Sequence, residues 1–307
     1  MQINILMAFD DNYLEPAITC LNSLFLHNND CTVWYLYHSV SDDTLSRLKT
    51  FSDSKHQKFM PIFVNNDKFI ELKTRLHYTI EMYYRLFCVE YLPSYLDKIL
   101  YLDPDIIVKG DLSEFYNTSF ANDTCFIGCE DFDSEFQIKR LEFSNADKYI
   151  CSGVLLINIT KYRDIYDFEK IYTFCVENKP RLRYPDQDVL NALFYKNIQY
   201  TDRYKYNYMV NELQSKDITK AAIDNACIIH FASQPKPWLK TYDRNKKVRD
   251  IYCSYIDKKY CPKIWAVISN DRVAFIFRRA QRICLGLCKK AACHLLPKKI
   301  FKSITKS

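Results

Sequence analysis

Apolar positions along this chain fall into short continuous runs separated by stripes of helical period. Ile3 to Phe9 is an apolar run broken only at Asn4, the pattern of a central strand buried on both faces. Asp10-Asp11-Asn12-Tyr13 follows as a loop, and Pro16 to His27 carries apolar residues at helical spacing. Cys31 to Tyr37 reads as a second strand, and Ser41 as the N-cap of a helix through Leu45 and Leu48. Phe59 to Val64 is another strand, Ile80 to Leu92 a helix that stops before Pro93, and Ile99 to Leu102 a strand. Beyond Gly110 the alternation continues. Cys125 to Gly128 and Gly153 to Asn158 predict strands, Asp167 to Glu177 and Gln187 to Tyr195 helices, and Ile228 to Phe231 a short late strand. Strands alternating with helices predict an α/β fold, a mostly parallel sheet flanked by helices on both faces. With no repeat or low-complexity linker, the simplest division is one domain over residues 1–261 and a tail over 262–307.

The tail differs in kind. At about 100° per residue, Val273, Ile276, Phe277, Ala280, Cys284, Leu287, Cys288, Ala291 and Leu295 share one face of a helix over 272–296. Arg278, Arg279, Arg282, Lys289 and Lys290 fall opposite. From Pro262 to Ser307 there are eleven Lys or Arg and one acid, Asp271, a surplus of ten positive charges. The whole chain is +6, so the remainder is net negative by four. A basic face opposite an apolar stripe suits an anionic membrane surface; the competing reading is a helix packed on the acidic body. Nucleic acid is not an expected partner, because no nucleic-acid-binding fold accompanies the charge.

Composition narrows the chemistry. The chain has 307 residues, 48% hydrophobic, but only 4 glycines, and neither G-x-G-x-x-G nor a P-loop pattern occurs. Any nucleotide must therefore be held by side chains and a metal. Thirteen cysteines are scattered, odd in number and never spaced C-x-x-C, which predicts reduced thiols filling apolar space rather than a disulfide framework. Acids follow the first apolar run too soon for a signal peptide, and no run of about 18 apolar residues predicts a membrane span. The expected location is cytoplasmic, peripherally attached to the inner face of the plasma membrane.

The candidate chemistry begins where the strand Ile99 to Leu102 runs into Asp103-Pro104-Asp105. Two carboxylates at a strand end suit Mg²⁺ or Mn²⁺ shared with phosphates, although an Asp-Pro-Asp turn fits the same residues. Asp10 to Tyr13 sits at the same sheet edge if both strands are parallel, or is an ordinary Asx-rich turn. Asp186-Gln187-Asp188 opens a helix, where acids also cap and complement the dipole. His230 ends a strand and is either a site residue or a core histidine. Lys236 and Trp238 stand in a proline-bracketed loop, a cation beside an indole that suits a phosphate and a ring.

Together these stretches resemble glycosyltransferase family 8, the retaining enzymes that include bacterial lipooligosaccharide galactosyltransferases. The matching segments are Ala8-Phe9-Asp10-Asp11-Asn12-Tyr13, Tyr101 to Val108 around the two acids, Ser152-Gly153 to Asn158, Tyr184-Pro185 to Asn191, and His230 to Trp238. The resemblance spans about residues 1–240. It implies a GT-A fold, a Rossmann-like sheet with the donor nucleotide over the strand ends. It implies Asp103, Asp105 and His230 as ligands of Mn²⁺ (or Mg²⁺), Lys236 on the UDP diphosphate, and Asp10, Asn12 and Tyr13 on uridine and ribose. Arg85 matches a donor sugar and phosphate contact, Asp131 and Asp188 match carboxylates on donor hydroxyls, and Gln187 matches the residue nearest the anomeric carbon. His77 aligns with a further substrate-site histidine.

The implied function is transfer of galactose or glucose from a UDP-hexose to a glycan or glycolipid acceptor, such as lipopolysaccharide or another cell-surface polysaccharide. Cys151 stands where the family usually has Asn, and Ser233 where it often has Gly, which bears on donor choice. Two other classes remain to be weighed. Haloacid-dehalogenase-like phosphatases also place Asp-x-Asp after a strand, but they need Thr or Val where Ile107 stands. A non-catalytic sugar-binding membrane protein would not need Asp103, Asp105, Gln187 and His230 together.

Overall fold

The apolar runs become strands β1 (Ile3–Ala8), β2 (Cys31–Tyr37), β3 (Lys58–Phe63) and β4 (Lys98–Leu102), which lie side by side and all parallel. They belong to a computed structural model that describes residues 1–72, 79–141, 146–210, 219–242 and 246–270. After β5 (Ile106–Val108) and β6 (Phe126–Glu130), β7 (Ile150–Asn158) inserts antiparallel between β4 and β6. Next, β8 (Ile198–Thr201) joins the edge parallel to β6, giving the order β3-β2-β1-β4-β7-β6-β8. The sheet is therefore mostly parallel, as the alternation predicts, with β7 alone reversed. A second sheet pairs β10 (Ile228–His230) with β5 antiparallel and with β9 (Tyr208–Met209) parallel.

Apolar side chains on the two faces of the large sheet build two cores. One lies under the helices Leu14–His27, Asp42–Ser54 and Lys246–Ser254 and the small sheet; the other lies under residues 80–92 and the helices Phe168–Asn178 and Pro185–Leu193. Ser41 caps the second helix as expected, its hydroxyl accepting the Thr44 amide at 3.3 Å.

The expected single helix from Ile80 to Leu92 is instead three short pieces: a 3₁₀ turn Ile80–Tyr83, one α-turn Tyr84–Phe87 and a 3₁₀ turn Cys88–Glu90. Residues 81–89 are buried on every side, so no solvent-facing stripe sets a single 3.6-residue period. That burial carries Arg85 into the interior.

Residues 262–270, where the tail was expected to start, form a helix on the first core. Ile264 and Ile268 are buried, and the Lys263 and Ile264 amides donate to the buried Glu15 carboxylate at 3.2 and 2.8 Å. Among the described residues, no helix is long and apolar enough to cross a membrane. The expected amphipathic helix over 272–296 and His77 both lie outside the described residues.

Candidate active site

Parallel β1 and β4 end at one edge, which brings Asp10 alongside Asp103 and Asp105. Because β7 is reversed, its first residues rather than its last reach that edge. The Asp103 amide donates to the Gly153 carbonyl at 2.9 Å. His230, the last residue of β10, arrives opposite. The potential ligand atoms of Asp103, Asp105 and His230 all lie within 4.8 Å of one another.

Each carboxylate is held the same way. Asp103 Oδ1 accepts from Arg85 Nη2 and the Tyr101 hydroxyl, both at 2.8 Å, while Oδ2 lies 3.9 Å from His230 Nε2. Asp105 Oδ2 accepts from Lys236 Nζ at 2.6 Å, while Oδ1 lies 3.2 Å from His230 Nε2. So each acid gives one oxygen to a buried cation and turns the other toward the imidazole. Asp105 Oδ1 is buried and makes no hydrogen bond, a costly arrangement unless something else satisfies it.

Burial opposes ionisation of Asp105, but the Lys236 ammonium and then His230 outweigh it and hold its carboxyl well below the usual range. Burial likewise opposes charge on His230, yet the adjoining Asp105 carboxylate pushes its pKa up to about 10. Two carboxylate oxygens and an imidazole nitrogen around a site that attracts positive charge fit a divalent cation, which would take the proton's place at Nε2. Gly153 leaves the room. A Cβ there would meet His230 Cε1 at 2.4 Å and Asp103 Oδ2 at 2.6 Å, distances that force a shift.

The cluster forms the floor of a cavity of about 610 Å³, a volume suited to a small-molecule ligand. Asp10 and Tyr13 line one side; Asn12 is exposed, bonds the Asp10 carboxylate and is not part of the wall. Gln187 and Asp131 line the other side, with Gln187 Nε2 donating to Asp131 Oδ2 at 3.2 Å and Oε1 accepting the Ser152 amide at 2.9 Å. Asp188 stays behind the wall. It is completely buried, and its oxygens take Arg140, the Tyr149 hydroxyl and the Arg183 and Tyr184 amides.

Arg85 lines the cavity but is already engaged. Besides Asp103 it pairs with Asp186 at 3.1 Å and donates to the Ser152 carbonyl at 2.7 Å, with its guanidinium 4.0 Å from the Tyr101 ring. Lys236 also donates to the Phe231 and Ala232 carbonyls at 2.7 and 3.0 Å. Cys151 and Ser233 both line the cavity, Cys151 Sγ lying 3.9 Å from His230 Nδ1. A second hollow, about 660 Å³, opens at the opposite strand ends; among its lining residues Asp97 is the one acid, and none is histidine.

Three contributors had no individual role assigned to them from the sequence. Gly153 had a signal, being one of 4 glycines and lying within a motif. Asp186 stood visible beside Gln187; it is buried, burial raising its pKa, and bonded to Ser152 Oγ at 2.8 Å. Asn207, which contacts His230, had no sequence signal.

The sequence profile of Glycosyl transferase family 8 matches residues 4–242. Glycosyltransferase GlyF of Streptococcus pneumoniae is 26% identical over 260 residues, which cover 84% of this chain and 62% of that protein, so the chain spans less than two thirds of its length. Lipopolysaccharide 1,2-glucosyltransferase of Escherichia coli K12 is 27% identical over 249 residues, covering 78% of this chain and 73% of the relative. Among solved structures, a galactosyltransferase, LgtC, in complex with donor and acceptor sugar analogues superposes with a TM-score of 0.69 at 24% identity, covering 83% of this chain and 95% of that one. At that identity the likeness concerns the fold, which is GT-A-like.

Proposed function

The chain belongs to glycosyltransferase family 8, and from that premise we propose that it moves a hexose, galactose or glucose, from a UDP-sugar to a glycan acceptor, with retention of configuration. Lipopolysaccharide or another cell-surface polysaccharide is the proposed acceptor class, and the lipopolysaccharide-modifying relative supports it. The observation that carries the reading is the cluster of Asp103, Asp105 and His230 with one buried oxygen left unbonded. We take Mn²⁺ as the cation, because it accepts an imidazole among oxygens more readily than Mg²⁺ does. When bound, the metal supplies Lewis-acid neutralisation of the charge that grows on the departing UDP.

The chain's own residues do the rest. Lys236 and Arg85 neutralise the two acids, so a divalent cation leaves the floor with a positive surplus toward a diphosphate. Asp10 and Tyr13 sit where the nucleoside would lie. On the sugar side, Gln187 is fixed at both ends of its amide, by Ser152 and by Asp131. A glutamine amide is a poor nucleophile, so its rigid placement favours front-side attack, with Gln187 steadying the sugar as positive charge develops. Asp188, which the resemblance sets on donor hydroxyls, would act by holding the Arg183–Tyr184 segment of the wall.

The test is Gln187→Ala with UDP-galactose and UDP-glucose. Turnover should fall by about 10- to 1000-fold, the scale of one preorganised polar group, while Mn²⁺–UDP affinity stays near wild type. A β-linked product from the α-donor, read by NMR, would refute retention.

The basic tail is proposed to hold the enzyme on an anionic membrane surface at the cytoplasmic side. Removing residues 271–307 spares the helix 262–270, whose Ile264 and Ile268 belong to the core. Full-length protein should sediment with vesicles of phosphatidylglycerol and phosphatidylethanolamine, and the truncated chain should remain in solution with UDP binding intact. Each basic residue near such a surface contributes about 1 kcal/mol, so salt should weaken the attachment. Full-length protein left in the supernatant at low salt would exclude it.

A further inference from the structure

His230 has two ring nitrogens, and only one faces the acids. The other, Nδ1, lies 2.8 Å from Asn207 Oδ1, and both residues are buried, at 2% and 1% exposure. Asn207 follows the short turn Arg203–Tyr206, whose N-cap Asp202 accepts the Tyr204 amide at 2.8 Å, and it leads directly into β9. Since β9 pairs with β10, with Met209 opposite His230, two hydrogen-bonded strands hold amide and imidazole in register.

A carbonyl oxygen can only accept. We infer that Asn207 is a positioning residue: it accepts the Nδ1–H of His230 and so fixes the tautomer whose Nε2 lone pair points between Asp103 and Asp105. The inference rests on the reading of that cluster as a divalent-cation site. Two further observations support it. Asn207 Nδ2 is buried without a hydrogen-bond partner, so the amide is retained at a cost, and its oxygen is the atom in use. The other group near Nδ1, Cys151 Sγ at 3.9 Å, is a weak acceptor that could not replace it. Partners that orient a ligating imidazole typically change metal affinity by about 10- to 100-fold when removed. A neutral amide in that place, instead of a carboxylate, leaves the imidazole a moderate ligand, which suits a cation that enters and leaves with the nucleotide.

The experiment measures Mn²⁺ affinity of the full chain in the presence of UDP, by electron paramagnetic resonance or calorimetry, without turnover. Asn207→Leu keeps the branched shape, with larger ends, and removes the acceptor; it should bind Mn²⁺ about 10- to 100-fold more weakly, in a metal-free protein that still melts cooperatively. Asn207→Asp keeps the acceptor and should bind at least as tightly as wild type. Should Asn207→Leu fail to fold, Asn207→Ser replaces it, its hydroxyl too short to reach Nδ1, with the same expected weakening. Equal affinity in a folded acceptor-free variant, or an equal loss in Asn207→Asp, overturns the assignment. A wild-type chain that binds no Mn²⁺ with UDP overturns the cation site itself, a distinct result.

Discussion

Asp103→Asn is expected to abolish both Mn²⁺-dependent UDP binding and sugar transfer while leaving the fold intact. The amide oxygen can still accept from Arg85 and Tyr101, as Oδ1 does now. Its NH₂, however, then occupies the place of Oδ2, presenting donors where a cation needs lone pairs. Arg85 also keeps Asp186 as a counter-charge, so the interior stays neutralised. Asp105→Asn should be just as inactive but also less stable. Lys236 is 5% exposed, and Asp105 is the acid it pairs with among the described residues. Leaving a buried ammonium without its carboxylate costs about 3–5 kcal/mol, which would lower the melting temperature on the order of 10 °C in a domain this large. Calorimetric titration of UDP with and without Mn²⁺, beside thermal melts, reads both effects. Equal UDP affinity in the two conditions for wild-type protein would sink the site; equal melting of the two variants would sink the account of Lys236.

Gly153→Ala should be nearly as damaging, although it removes no functional group. Its new methyl would lie 2.4 Å from a carbon of the His230 ring and 2.6 Å from an Asp103 oxygen, so one proposed ligand must swing away. Overpacking of this kind costs about 1–3 kcal/mol in stability, but the larger loss should be in Mn²⁺–UDP affinity and transfer. Gly110→Ala is the control: there the Cβ meets the Cys227 sulfur at 3.2 Å, far from the acids, and binding should match wild type. Wild-type Mn²⁺–UDP affinity in Gly153→Ala would mean that the cation does not sit between His230 and Asp103.

Much of the architecture was legible in the chain. Strands β1, β2 and β4 announced themselves because a strand buried on both faces is apolar at nearly every position. Ser41 announced a helix because a hydroxyl before an apolar stripe satisfies open amides. The segment from Ile80 to Glu90 was misread for the converse reason: where every side is buried, no polar face marks the period, and a broken chain looks like one helix. The start of β7 was also missed. Cys151 and Ser152 are modest strand formers, and a lone Ile150 before them made no apolar run; that residue is held in the sheet by pairing with β6 and by the Asn191 side chain.

The site divides in the same way. The sequence by itself determined that Asp103 and Asp105 stand at the end of a buried strand, that His230 ends another, and that five ordered segments match one family. Those are local facts, written in runs of a few residues. Only the tertiary structure decided that β7 runs backward and so delivers Gly153 to the acids, and that Arg85 and Lys236 each clamp one carboxylate oxygen. It alone brought Asn207 to the far side of the imidazole and set Asp188 behind the wall rather than in it. The physical reason is that a pattern of apolar and polar positions records which faces are buried. The direction of a strand and the partner of a particular lone pair depend on groups far apart in the chain, meeting where the fold closes.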